Sequence, residues 1–195
     1  MRKRYLQLRS LATLPIAAMM WIIMNKHQKN LVDADLVQWC EWKRMNKTVI
    51  SFAFLIANHS EFRSVLYRRM GYRRILFSWW LRPMRHLYIN TRDIGGGLLI
   101  QHGFSSIINA QKIGENCKIY HHVTLGYNHN LEAPTLGDNV EVCCGAKILG
   151  GVTVGDNVLI GAGAVVVKDV ADNSVVAGVP ARIIRRLDGV RDLTK

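Results

Sequence analysis

Four histidines in the second half of the chain have side chains suited to acid–base chemistry: His102, the adjacent pair His121–His122, and His129. An imidazole titrates near neutral pH, so each can exchange a proton with a substrate under ordinary conditions. The other reactive groups are the thiols of Cys40, Cys117, Cys143 and Cys144. None makes a C-x-x-C pair, and adjacent Cys143–Cys144 is a poor disulfide framework, so reduced thiols in a cytoplasm are expected. The histidines also raise a metal-dependent hydratase as an alternative. Zinc needs three converging side-chain ligands and an open fourth position. His102 with His121 or His122, plus a residue of a neighbouring copy, would be the set.

The elements that must hold these groups follow a period of six. Ile107, Ile113, Ile119 and Leu125 lie six apart, and Leu136, Val142, Ile148, Val154, Ile160 and Val166 do the same. Two positions before each member of the second series stands Pro134, Val140, Ala146, Val152, Val158 or Ala164. Neither an α-helix nor a flat strand repeats every six residues; a triangular coil does, with one aliphatic turned inward per face. Gly and Asn, recurrent here as Gly-Asp-Asn at 137–139 and 155–157, suit corners where φ is positive. Each coil buries its interior only by stacking on the next. The phase slips near Gly103, where Ile100 to Ile107 is seven, and again between Leu125 and Leu136, which are eleven apart. Tyr127–Pro134 (YNHNLEAP) therefore reads as a loop pushed out of the coil, carrying His129 and a Glu132 able to pair with a His.

Residues 1–90 read as a basic helical region, 91–186 as the coil and 187–195 as a tail. Val49, Phe52, Leu55 and Ile56 suit one helix face; a break follows at Asn58, with Ser60 as N-cap and Phe62, Val65, Leu66 and Met70 continuing the stripe. Trp79, Trp80 and Pro83 end the region, the aromatics being expected to pack. Leu11–Met24 is an apolar run of fourteen residues behind Arg2, Lys3, Arg4 and Arg9. It has the outline of a signal peptide but no small-x-small cleavage site follows. Fourteen residues are few for a bilayer, so a buried or membrane-surface helix is expected. Residues 1–92 carry 17 Lys and Arg against 4 Asp and Glu, whereas 93–195 carry 9 against 10, so the net +12 belongs to the first half. An anionic membrane surface or a phosphate-bearing ligand would match it. No nucleic-acid motif accompanies the charge, and no nucleic-acid partner is expected.

IGGGLLIQHGFSSIINAQKIGENCKIYHHVTLG, PTLGDNVEVCCGAKILGGVTVGDNVLIGAGAVVVKDV and DNSVVAGVPARII, in that order, resemble the hexapeptide-repeat acyltransferases. The resemblance is to serine acetyltransferases and to the O-acetyltransferases of surface polysaccharides, including the colanic-acid type. It implies an α+β chain, helices followed by a left-handed parallel β-helix. It further implies a homotrimer, paired into a dimer of trimers in the serine branch, with acetyl-CoA along the groove between β-helices and no metal. By position it makes His102 the general base. It places Cys144, Gly145 and Ala162 along the pantetheine arm, where small residues let the backbone approach, and Lys168, Arg182 and Arg185 near the phosphates. Gln101, His122 and His129 become candidates for the acceptor.

Three positions depart from the serine branch. Gln101 replaces the Asp that contacts serine, Leu87 an Asp that would orient the base, and Ala133 the second active-site His. The expected activity is acetyl transfer from acetyl-CoA to a hydroxyl of L-serine or of a polysaccharide sugar, in the cytoplasm or at the inner face of the membrane. A non-catalytic scaffold is the other alternative.

Overall fold

The structure is a computed structural model and describes residues 2–187, so the expected tail lies, from residue 188 on, outside the described residues. The chain divides into two compact units, residues 1–85 with 96–99 and residues 86–95 with 100–195.

The first unit is helical: α1 (Arg2–Ile23), α2 (Lys26–Lys43), α3 (Val49–Asn58), α4 (Ser60–Met70), a 3-10 turn (Gly71–Arg74) and the short α5 (Ile75–Ser78). Asn25 opens α2 with a capping box, its side chain accepting from Gln28 N while Gln28 Oε1 accepts from Asn25 N. Thr48 caps α3 by accepting from Ser51 N. The break between α3 and α4 is present, but His59 is the N-cap of α4 and makes no side-chain cap bond; Ser60 is already helical. The core joins Trp39, Phe52, Leu55, Ile56, Phe62, Leu66 and Met70. Val49 does not join it and is exposed, as it lies in the first turn of α3. Trp79 and Trp80 are also outside the core, 76% and 73% exposed, edge to face with each other. Helix α1 begins well before the fourteen-residue run and ends at Ile23: its apolar part spans Tyr5–Ile23, nineteen residues, long enough by length and composition to cross a bilayer.

The second unit is a prism with three parallel walls. One holds β1 (Leu87–Ile89), β4 (Ser106–Ile108), β7 (Thr124–Gly126), β10 (Lys147–Leu149) and β13 (Val165–Val166). The second holds β2 (Asp93–Ile94), β5 (Lys112–Ile113), β8 (Thr135–Leu136) and β11 (Thr153–Val154). The third holds β3 (Leu99–Ile100), β6 (Lys118–Ile119), β9 (Glu141–Val142), β12 (Leu159–Ile160), β14 (Ser174–Gly178) and, antiparallel to β14, β15 (Ala181–Arg186). The first strand thus lies before residue 91, where the sequence set the start of the coil. Ile113, Ile119, Leu125, Val142, Ile148, Val154 and Ile160 are fully buried, as the period demands. Ile107 is not: it is 44% exposed, and Ile108, at 0%, takes the inward place, in register with Leu125. The corner after β3 therefore holds two extra residues, one of which is recovered before Ile113.

Asn and Gly divide the corners differently from the expectation. Asn116, Asn139, Asn157 and Asn173 have φ of 54° to 56° and form one corner column, with Asn139 donating to Asn157 and Asn157 to Asn173 at 3.2 and 3.1 Å. Gly114, Gly137 and Gly155 are not at positive φ. They are glycine because the next coil lies against them: a Cβ on Gly137 would sit 2.9 Å from the Gly155 carbonyl carbon.

Candidate active site

One edge of the prism gathers the groups named from the sequence. His122 N donates to Phe104 O at 3.1 Å, Gly145 N to His121 O at 3.0 Å, and Gly163 N to Cys144 O at 2.9 Å. Phe104, His121, Cys144 and Ala162 are therefore equivalent positions on four successive coils. Each is followed by a residue at positive φ: Ser105, His122, Gly145 and Gly163. The edge changes character along its length. Its first two turns carry Phe104 and the histidines, and its last two carry only Cys144, Gly145, Ala162 and Gly163, small residues that let a ligand approach the backbone closely.

His102 sits just before this column, at the slip the sequence marked. Its φ of 55° turns an exposed imidazole out of the wall, a conformation uncommon for non-glycine residues and enriched at functional sites. Buried Gly103 behind it has no room for a side chain: a Cβ there would strike Ile100 and stand 3.2 Å from Leu87. Leu87, in the place where the resemblance would put an orienting Asp, is buried and supplies packing rather than charge. The His102 and His121 ring centroids are 6.4 Å apart; His121 stacks on Phe104 at 4.9 Å and 17°, and His122 meets Phe104 edge on at 4.9 Å. The Nδ1 of His121 is buried without a hydrogen-bond partner. Buried Ser106 accepts from Val123 N at 3.2 Å and donates to Phe104 O or Tyr120 O, 3.4 Å away, which locks the two aromatic turns together. Below them Tyr120 donates to Glu141 at 3.2 Å; burial and the Glu141 charge push the phenol up to about 12, so it stays protonated.

The other named residues lie elsewhere. Gln101 is half-buried at the end of the third wall, its N–H donating to Ile119 O. His129 is exposed on the loop expected at 127–134, which Asn128 closes by accepting from Asn130 N and Glu132 N. Glu132 does not pair with a histidine; its carboxylate accepts from the Asn128 amide at 2.8 Å. A cavity of about 490 Å³ beside the loop is lined by Gln111, Tyr127, Leu131, Glu132 and Ala133. Lys168 is exposed on the corner after β13, a different edge from that of Cys144, and Arg182 is exposed on β15. Among the described residues no group of three His, Cys, Asp or Glu is placed to hold a metal ion. The sequence reading passed over Phe104. The signal for it is the spacing Phe104–His121–Cys144–Ala162, of 17, 23 and 18 residues: one coil a residue short, one lengthened by the loop at 127–134 and one of full length.

The bacterial transferase hexapeptide family (six repeats) matches residues 133–168. The prism is a hexapeptide-repeat β-helix. It resembles that of the serine acetyltransferases. The serine acetyltransferase of Synechococcus elongatus is 45% identical over 102 residues, covering 50% of this chain and 41% of that protein, so this chain spans less than half of that relative. The structure of Neisseria gonorrhoeae serine acetyltransferase in complex with serine superposes with a TM-score of 0.65 at 25% identity, over 83% of this chain and 70% of that one. The Brucella abortus serine acetyltransferase in complex with coenzyme A shares the fold, with a TM-score of 0.67 at 23% identity over 89% of this chain and 73% of that one.

Proposed function

We propose that the chain is an acetyl-CoA-dependent O-acetyltransferase acting on the hydroxyl of L-serine, with His102 as general base. The observation carrying this is the single edge that runs from an outward imidazole to four small residues. A thioester arm laid along Cys144, Gly145, Ala162 and Gly163 would lie close to their backbone, unobstructed by side chains, and bring its acyl end toward the histidines. His102 would take the hydroxyl proton as the oxygen attacks the acyl carbon, and return it to the departing thiolate. The Brucella and Neisseria structures, holding coenzyme A and serine on the same fold, support both substrates. The reading includes a trimer in which a second β-helix closes the groove, with Arg182 and the neighbouring copy's Lys168 facing the phosphates, and Gln101, His122 and the neighbouring copy's His129 facing the acceptor.

A second reading, with a sugar hydroxyl of a surface polysaccharide as acceptor, is favoured by Gln101, Leu87 and Ala133. Serine's ammonium group asks for a carboxylate, whereas a sugar hydroxyl is satisfied by an amide such as that of Gln101. Release of free CoA from acetyl-CoA, measured with serine and with sugars in parallel, decides between them. His102→Ala should lower kcat by about 10²- to 10⁴-fold while acetyl-CoA still binds. Unchanged turnover rejects the base, and failure to bind acetyl-CoA at all favours a scaffold.

A further inference from the structure

Helix α1 has two faces of different use. Ser10, Thr13, Ala17 and Met20, with Met24 just past the helix end, are buried in the helical unit, where Arg9 donates to Ala57 O at 2.8 Å and Asn58 to Ser10 Oγ at 3.3 Å. The opposite stripe, Tyr5, Leu8, Leu11, Pro15, Met19 and Ile22, recurs every three or four residues and is exposed from end to end. Such a stripe belongs to a helix with both faces covered, yet only one is covered within the unit. Residues 1–32 contain no Asp or Glu and six Lys or Arg, at 2, 3, 4, 9, 26 and 29. Beside Ile22 lies a mainly apolar groove of about 460 Å³ lined by Ala18, Trp21, Ile22, Val49 and Phe52 and by Asp33 and Lys47, which neutralise each other in an ion pair at 2.6 Å. At the other end Arg63 shares the Ala57 carbonyl with Arg9 and donates to Arg82 O, which brings the segment after exposed Trp79 and Trp80 close to α1.

We propose that this face of α1 docks the protein on an anionic lipid bilayer, the helix lying in the plane of the headgroups. Charge selects this occupant. A second copy would bring the same cations against these, whereas an anionic leaflet attracts each of them while accepting the apolar stripe. A helix crossing the bilayer would have to give up its buried face and both hydrogen bonds to α3. The inference is independent of the acetyl acceptor.

The test is flotation of the purified full chain with liposomes of phosphatidylcholine alone or with about one-third phosphatidylglycerol. Binding should require the anionic lipid, fall as salt rises, and drop at least about tenfold in the variant Leu8→Glu/Leu11→Glu/Ile22→Glu. Val167→Glu, exposed on the β-helix, is the control and should float like the parent; circular dichroism checks the fold of both variants. The proposal is overturned if the parent ignores anionic vesicles, or if the triple variant floats equally well. It is also overturned if the triple substitution changes only the oligomeric mass in sedimentation velocity, which gives the stripe to a second copy, or if native membranes retain the parent through alkaline carbonate, which makes α1 a span.

Discussion

Asp35 and Arg69 allow a stability prediction to be worked through. Their side chains are 2% and 4% exposed; Arg69 Nε and Nη2 donate to the carboxylate at 2.9 and 3.0 Å, and Leu98 N adds a third bond at 2.8 Å. Trp39 Nε1 donates to Leu98 O at 3.0 Å, so helix α2 holds both backbone groups of the residue four positions before His102. Asp35→Ala removes the carboxylate partner of a buried guanidinium, about 3–5 kcal/mol, and the acceptor of Leu98 N–H, which adds to it. Against a total of about 5–15 kcal/mol, the variant should be close to unfolding. Asp35→Asn keeps an acceptor for Leu98 and should cost less than Asp35→Ala. Arg69→Met should differ in its pH response. Burial already raises the Asp35 carboxyl above its ordinary value, with Arg69 pulling it down. Without Arg69 the folded form holds a proton more tightly than the unfolded chain. That contribution is complete below the ordinary carboxylate range and is lost as pH rises through the folded value. Arg69→Met should therefore be more stable at pH 5 than at pH 8, relative to the parent. Urea unfolding followed by tryptophan fluorescence, with Trp39 as the near reporter, measures all three. Losses within about 1 kcal/mol of the parent, or a flat pH response in Arg69→Met, would refute the account.

Iodoacetamide at pH 8 should label Cys144 and spare Cys117, whose burial pushes the thiol up to about 12; mass spectrometry of peptides reads the difference, and acetyl-CoA should protect Cys144. Gly137→Ala should cost about 1–3 kcal/mol in chemical denaturation, since the new Cβ meets the backbone of the next coil 2.9 Å away. Asn157→Ala should cost about 1–2 kcal/mol by combining a positive φ with two lost ladder bonds, whereas Asn157→Gly should recover the part due to φ. A Gly variant no better than Ala would mean that φ carries no cost there.

Much of the β-helix is legible in the sequence, because a six-residue recurrence of aliphatics admits few solutions. The extruded loop at 127–134 followed from the same arithmetic, and the resemblance pointed to His102. Ile107 failed because a period locates a slip without saying how many residues enter it: two before Ile108 and one fewer after look like a single insertion. Ser60 failed as a cap because helix α4 begins one residue earlier in hydrogen-bond terms, at His59. The exposure of Trp79 and Trp80 was not legible either, since an aromatic residue looks the same in sequence whether or not a partner surface waits for it.

The sequence by itself determined a stacked coil, a basic helical half and the phase slip that turns His102 outward, because each is a local pattern that repeats or breaks along the chain. Only the tertiary structure decided that Phe104, His121, Cys144 and Ala162 share one edge, that Asp35 and Arg69 meet, and that one stripe of α1 is left uncovered. These depend on which coil or helix lies beside which, and chain spacing carries that information only after every inserted residue has been assigned to a corner.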